Sequence, residues 1–362
     1  MAVFRQLLGR RLNWLLLFVP VAIALSASGA PATATLAAAA LGIIPLAGLL
    51  GEGTEVLAAY SGPRVGGLLN ATLGNAAELI ITVVAIREGL LELVKASITG
   101  SIIGNLLLIL GLSMAAGGIR NGLQTFDRRR ALGDCILLLL AVTALAVPSL
   151  FVQSSAGIHE AADVEVLSLG VAALMILTYG LGMLYSFRGD GAPLTRPSAE
   201  AVEAKPTLWS RRTALIVLAA ATAGVVWMSE ILVRQVEPVI ASLGVSEFFL
   251  GVILVPLIGN VAEHLVAVRV AVQNQMSLSV EIAVGSSLQI ALFVAPALVF
   301  LSLAMGNPLT LVFNPFELIA LVASVLIVTQ VAGDGESNWL EGAVLTALYL
   351  IFAFAFFLLP GG

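Results

Sequence analysis

Apolar runs of near twenty residues recur from one end of this chain to the other. Each is long enough to cross a hydrocarbon core of about 30 Å as a helix. Only 11% of the residues are charged, against roughly 25% in soluble domains. The expected fold is therefore an all-α polytopic membrane protein, with little chain left for a soluble domain. The runs fall at about 12–29, 33–60, 63–87, 96–117, 131–152 and 164–187, and then at about 213–242, 246–273, 279–304, 314–333 and 339–360. That is about eleven transmembrane helices: a leading helix in 1–30, a five-helix repeat over 31–187, a linker over 188–212 and a second five-helix repeat over 213–362. The linker carries Pro193, Pro197 and Pro206 among mixed charges.

Arg5, Arg10 and Arg11 precede the run Leu12 to Leu25 and then Ser26-Ala27-Ser28-Gly29-Ala30. A cleavable signal peptide has the same outline. A retained helix is the preferred reading, because the topology works with it in place. With the N-terminus cytoplasmic, the inner segments hold Arg5, Arg10, Arg11, Arg64, Arg120, Arg128, Arg129, Arg130, Arg188, Arg196, Lys205, Arg211 and Arg212. The outer ends hold Arg87, Lys95 and Arg234, and Arg269 falls near the inner end of its span. This bias sets the orientation and leaves the C-terminus external. The cluster Arg128 to Arg130 reads first as a topology signal, with lipid headgroup binding as the other reading.

The chain repeats itself. Gly74-Asn75-Ala76-Ala77-Glu78 returns as Gly259-Asn260-Val261-Ala262-Glu263, 185 positions later. The same offset carries Gly100-Ser101 to Gly285-Ser286 and Glu52 to Glu237 without a gap. Each repeat has an odd number of spans, so the second enters the membrane from the opposite side. Inverted repeats of this kind are common in secondary transporters, with the site near the midplane at their interface.

An acid inside a membrane span is costly and marks function by default. Asn75 and Glu78 share a helix face, as do Asn260 and Glu263. Four oxygen-bearing side chains converging from two inverted helices suit a hard cation, with water or backbone carbonyls completing the shell. The glycine before each Asn weakens the helix there. Ser101 and Ser286 add hydroxyls, and Asn105 and Gln289 lie one turn beyond them as a secondary polar shell. The serines have a plainer reading as small residues at helix crossings. His264 follows Glu263 on a different face and could relay protons or simply meet a neighbouring helix. Glu52, Glu55, Glu230 and Glu237 lie in or near the ends of the first span of each repeat. They read equally as a cation approach path and as helix-end or headgroup acids. Cys135 is alone, which excludes an intrachain disulfide and a soft-metal cluster. No phosphate loop is present, and the histidines are only His159 and His264. An enzyme, an ATP-driven pump and a nucleic-acid binder are therefore not expected.

The segments GEGTE at 51–55, GNAAELI at 74–80, SITGSIIGNLLLILG at 97–111, GNVAEH at 259–264 and GSSLQIALFVAP at 285–296 resemble the signature segments of the Ca2+/H+ antiporters, the cation/proton exchanger branch of the Ca2+/cation antiporters. The resemblance runs over nearly the whole chain. It implies that Glu78 and Glu263 bind the ion and carry protons, with Asn75, Asn260, Ser101 and Ser286 around them and His264 as a matched neighbour. It also implies Ca2+ and H+ as transported substrates, with no cofactor. Gly53 stands where the family's first segment usually has Ala. The linker offers only Asp190, Glu200 and Glu203, so acidic calcium sensing there is not implied.

The mechanism expected is competition for the same carboxylates. Burial favours a protonated carboxyl, and a bound dication favours the carboxylate. Cytoplasmic Ca2+ would leave in exchange for external or luminal H+ by alternating access, across a membrane read as a prokaryotic plasma membrane. Exchange of Mn2+, coupling to Na+ and a passive cation channel are the other readings. The partners expected are Ca2+, H+ and the lipid bilayer, with a homo-oligomer as a further reading.

Overall fold

The computed structural model of the protein describes residues 11–154, 161–187 and 209–359. Arg5, Arg10, His159, Arg188, Arg196, Lys205 and most of the expected linker lie outside them. A short 3-10 turn at Arg11–Leu17 leads into α1, Phe18–Ser28. Next come α2, Ala32–Gly62, and α3, residues 63–87. Then follow α4, Leu91–Asn121, α5, Arg128–Ser154, and α6, Ala161–Phe187. The second half has α7, Arg211–Leu243, α8, Glu247–Val272, α9, Met276–Ala304, α10, Pro315–Val331, and α11, Trp339–Leu358.

Among the described residues, eight of these helices are long and apolar enough to cross a membrane, and Leu12–Ser28 and Pro315–Val331 are shorter apolar helices. Two features interrupt the helical run over residues 32–87. Gly62 has φ +78°, which suits a residue without a side chain and turns α2 into α3. Gly74 and Asn75 then break α3, and a regular helix resumes at Ala76.

Burial sorts the helices into centre and periphery. The apolar stretch of α4 is 72% buried, against 28% for α6 and 22% for α11. On α6, Leu174, Leu177, Leu181 and Leu184 are exposed at helical spacing. Such a stripe is unfavourable in water and at home in lipid. At the centre, α3, α4, α8 and α9 carry the polar motifs.

Local chemistry sets the helix ends. Ser210 caps α7 by accepting from the Thr213 N–H, and Asn314 accepts from the Phe316 N–H before Pro315. Asn338 and Glu341 form a reciprocal capping box at the start of α11. These caps satisfy backbone donors that a helix start otherwise leaves orphaned.

The contacts between turns fix the direction of each repeat. Two-residue strands β1, Gln124–Thr125, and β2, Glu336–Ser337, pair antiparallel and join the α4–α5 turn to the α10–α11 turn. At that same end Gln124 Nε2 donates to the Ala271 carbonyl and to Asn274 Oδ1, both at 2.9 Å, in the α8–α9 turn. At the opposite end Asn307 Nδ2, after α9, donates to the Ile86 carbonyl near the end of α3 at 2.9 Å. So α3 and α8 finish at opposite ends of the molecule. The motif helices of the two halves are inverted relative to each other, as the odd number of spans requires.

A second correspondence lies inside the helices. A π-helical segment at Gly104–Ile109 in α4 has its mate at Ile290–Val294 in α9, each beginning about one turn after the site serine. Such segments recur at functional sites. A third, Leu250–Leu254 in α8, has no π-helical mate in α3.

Candidate cation site

The break at Gly74-Asn75 places Glu78 in the first turn of the regular part of α3, where it is 1% exposed. Ser101, from α4, donates its hydroxyl to Glu78 Oε1. Asn260, from α8, donates Nδ2 to Glu78 Oε2 at 3.3 Å. Both oxygens of this carboxyl are thus held, one from each repeat.

Glu263 is only half-buried. Ser286 Oγ lies 3.2 Å from Glu263 Oε2 and 3.2 Å from Asn75 Oδ1. In each repeat the glutamate is therefore met by the serine 23 positions later. Asn75 completes its own bonding by donating Nδ2 to Gln289 Oε1 at 2.9 Å. The two glutamates are near enough for the charge of Glu78 to act on Glu263. The expected set Glu78, Glu263, Asn75, Asn260, Ser101 and Ser286 is brought together, and Gln289 joins it through Asn75.

His264 and Asn105 form a separate pair beside this cluster. His264 Nε2 meets Asn105 Oδ1 at 3.0 Å, and both residues are buried. His264 Nδ1 and Asn105 Nδ2 are buried without a hydrogen-bond partner. Adjacent helical positions point apart, so Glu263 faces Ser286 while His264 faces α4.

The four outer acids divide. Glu55 on α2 is exposed, Glu52 is half-buried, and the charge of Glu55 reaches Glu263. Glu230 on α7 instead pairs with Arg87 at 3.0 Å. Glu237 is exposed on the last turns of α7. Of the four, Glu55 is the acid tied to the central site, and Glu52 lies about one helical turn before it.

The two approaches to the site differ. At one end α8 lies on α4: Glu247 Oε1 accepts from the Leu93 N–H at 2.9 Å, and a Cβ at Gly251 would come within 2.6 Å of the Ala96 Cβ. A Cβ on Gly100 would overlap the Val252 carbonyl oxygen. At the other end Gly285, the mate of Gly100, has open space on its Cβ side, with no atom within 4 Å. α8 is packed on α4 at the Gly100 end, and the Cβ side of Gly285 has no comparable contact. The packed end is the one holding the α3–α4 turn, and the unpacked end holds the α4–α5 turn with Arg128 to Arg130.

Two polar clusters, one buried and one partly buried, lie outside the expected set. Thr99 donates to Glu317 Oε2 at 3.1 Å, joining α4 to the start of α10. Arg130 pairs with Glu281, joining α5 to the start of α9, with Asp134 buried nearby. The acids were visible as charges inside apolar spans. None has an acidic mate at the 185 offset, which is why the repeat did not single them out.

Among the described residues, no group of three or more His, Cys, Asp or Glu converges on one point. A cation between Glu78 and Glu263 must take its other ligands from amide, hydroxyl, carbonyl or water oxygen. That donor set suits a hard ion such as Ca2+ and lacks the thiolate and imidazole that softer ions prefer.

A sequence profile of the sodium/calcium exchanger protein family matches residues 31–188 and 213–358. A Ca2+/H+ antiporter of Aphanothece halophytica is 44% identical over 361 residues, covering 96% of each chain. The Ca2+/H+ antiporter ChaA of Bacillus subtilis is 44% identical, covering 94% of this chain and 97% of its own. The solved structure of native YfkE superposes with a TM-score of 0.81 at 41% identity, covering 94% of this chain and 97% of that one.

Proposed function

The chain belongs to the sodium/calcium exchanger protein family, and on that premise we propose that it is a Ca2+/H+ antiporter. The observation that carries this is the pair Glu78 and Glu263. Each is held by its own serine, and both lie in one amide-lined site between inverted repeats.

The physical logic is charge balance. Two carboxylates in one largely enclosed site are unfavourable when empty, because desolvation and mutual repulsion add. Either two protons or one dication makes the site neutral. Ca2+ and H+ therefore exclude each other, and a site that crosses only when neutral exchanges one for the other. Asn75, Asn260, Ser101 and Ser286 supply neutral oxygens. They complete a shell around Ca2+ and can hydrogen-bond the protonated acids.

Alternating access follows from the unequal ends. In this arrangement the Gly285 end is open and the Gly100 end is packed. The opposite arrangement would pack α3 onto α9 around Gly285 and release α8 from α4 around Gly100. Arginines gather at the open end, so the positive-inside bias makes that end cytoplasmic. The direction of transport is then Ca2+ outward from the cytoplasm and H+ inward, across a multi-pass membrane protein of the plasma membrane. Glu55, whose charge acts on Glu263, lies on the route from that side, with Glu52 about one helical turn before it. His264, held by Asn105, is the neighbouring group able to pass a proton.

The test is 45Ca2+ uptake into proteoliposomes under an imposed pH gradient, with and without an ionophore that collapses it. Uptake that disappears with the gradient and is indifferent to Na+ is the expected result. Uptake indifferent to the pH gradient would overturn H+ exchange in favour of a channel or another counter-ion. Replacing Ca2+ by Mn2+ in the same assay fixes the ion preference.

A further inference from the structure

Gln289 stands one helical turn past Ser286 on α9 and is seated against the break in α3. Its Oε1 accepts from Asn75 Nδ2 at 2.9 Å, and a Cβ on Gly74 would lie 3.5 Å from that same oxygen. An amide has one end that accepts and one that donates. With its NH2 committed to Gln289, Asn75 turns Oδ1 toward the acids, where Ser286 lies 3.2 Å away.

Its repeat mate is turned the other way. Asn260 points Nδ2 at Glu78 Oε2. The position equivalent to Gln289 in the first repeat is Gly104, and a Cβ there would meet nothing within 4 Å. That position has no side chain able to hold the amide of Asn260. Two asparagines identical by repeat thus sit in different surroundings, one clamped and one not.

We propose that Gln289 is a positioning residue that fixes Asn75 as an oxygen ligand for the transported cation, while Asn260 turns its amide between donating to Glu78 and offering its oxygen to that cation. This rests on the reading of the Glu78–Glu263 site as the Ca2+ site. An NH2 group aimed at a dication is repelled, so the orientation of each amide decides whether it helps or hinders binding. A clamped Asn75 keeps one oxygen ready without reorganisation. The unclamped Asn260 can satisfy Glu78 when no cation is present and then be recruited.

The experiment is calorimetric Ca2+ binding to the purified full chain in detergent, with thermal melting as a check on folding. The variants are Gln289→Met, Gln289→Leu and Gln289→Glu, alone and with Asn75→Asp. Gln289→Met and Gln289→Leu remove the acceptor and are expected to weaken Ca2+ about tenfold, the worth of one such hydrogen bond. Gln289→Glu still accepts from Asn75 and is expected to bind within about threefold of wild type. In the Asn75→Asp background both ends of the side chain are oxygen, so Gln289→Leu should change affinity by less than about twofold. Equal losses in both backgrounds, or undiminished affinity in folded Gln289→Met, would overturn the positioning role. Glu78→Gln and Glu263→Gln separate this from failure of the site itself. Ca2+ binding that ignores both acids removes the site and the clamp together. Binding that needs the acids and ignores Gln289 removes the clamp alone.

Discussion

Asn260 donates to Glu78 across 3.3 Å, from one inverted repeat into the carboxyl of the other. With Ser101 on the second oxygen, Glu78 is bonded on both sides while almost wholly buried. Glutamine keeps the shape and one acceptor but neither carries a negative charge nor takes up a proton. Glu78→Gln and Glu263→Gln are each expected to reduce pH-driven Ca2+ uptake to background. Both should still fold, because a neutral buried amide avoids the penalty of a buried charge. Proteoliposome flux alongside thermal melting in detergent checks both parts, and sustained transport by either variant would remove that acid from the centre of the mechanism.

The mates Gly100 and Gly285 have opposite surroundings, one against the Val252 backbone and the other facing open space. A larger side chain at Gly285 fits the present arrangement and obstructs its inverse. Gly285→Leu is therefore expected to lose transport while Ca2+ still binds from the open side. Gly100→Ala should do the reverse and loosen the packed end. With Cys135 replaced by Ala, a cysteine introduced at Val252, which is buried against Gly100, should be protected from a thiol reagent in the present arrangement and become accessible in the inverse one. Labelling that is equally fast in Gly100→Ala and in the Gly100 parent would count against these glycines as the alternating contacts.

Much of this was readable from the residues. The 185-residue offset, the intramembrane acids and the odd number of spans required an inverted pair of helices sharing one site, and the inverted turns show how. What the sequence concealed is the inequality of the two halves. Gly-Asn occurs in both repeats, yet the first breaks α3 and the second stays within a continuous α8. A sequence repeat is symmetric, whereas a transporter in any one conformation is not, so which glycine is packed and which is open cannot be written in the repeat. The π-helical segments after the two serines were also hidden, because their backbone shift comes from helix packing rather than from a residue type. Glu230 was grouped with the other outer acids by position, and only the fold reveals Arg87 opposite it.

The His264–Asn105 pair breaks the repeat symmetry outright, since the mates of these residues are Leu79 and Ile290. A polar pair has taken the place of an apolar one beside the acids. Asn105→Leu leaves His264 Nε2 buried without its partner, which costs about 1–3 kcal/mol. Replacing both by the apolar mates, as Asn105→Ile with His264→Leu, should recover most of that stability. If the pair serves proton transfer, the recovered double variant still transports poorly while binding Ca2+. Equilibrium unfolding beside flux measurement reads the two effects separately, and full transport by the double variant would assign the pair to packing alone.

Arg130 and Glu281 join α5 to α9 at the open end, with Asp134 close by. Two acids share the surroundings of one guanidinium, so removing the cation leaves their negative charge, largely withdrawn from water, uncompensated. Arg130→Met is expected to destabilise the protein by about 1–3 kcal/mol, less than breaking a fully buried pair would, because the two side chains keep 22% and 23% exposure. Removing the opposing charge as well, in Arg130→Met with Glu281→Leu, should restore a large part of the loss, because a well-packed apolar pair can replace a buried ion pair at little cost. The comparison needs only unfolding midpoints of the two variants against wild type. Equal destabilisation of single and double variants would mean that Arg130 acts through Asp134 or the α4–α5 turn rather than through Glu281. Since α9 carries Ser286 and Gln289 five and eight positions further on, any tilt released at Glu281 should also appear as weakened Ca2+ binding in the single variant and recover in the double.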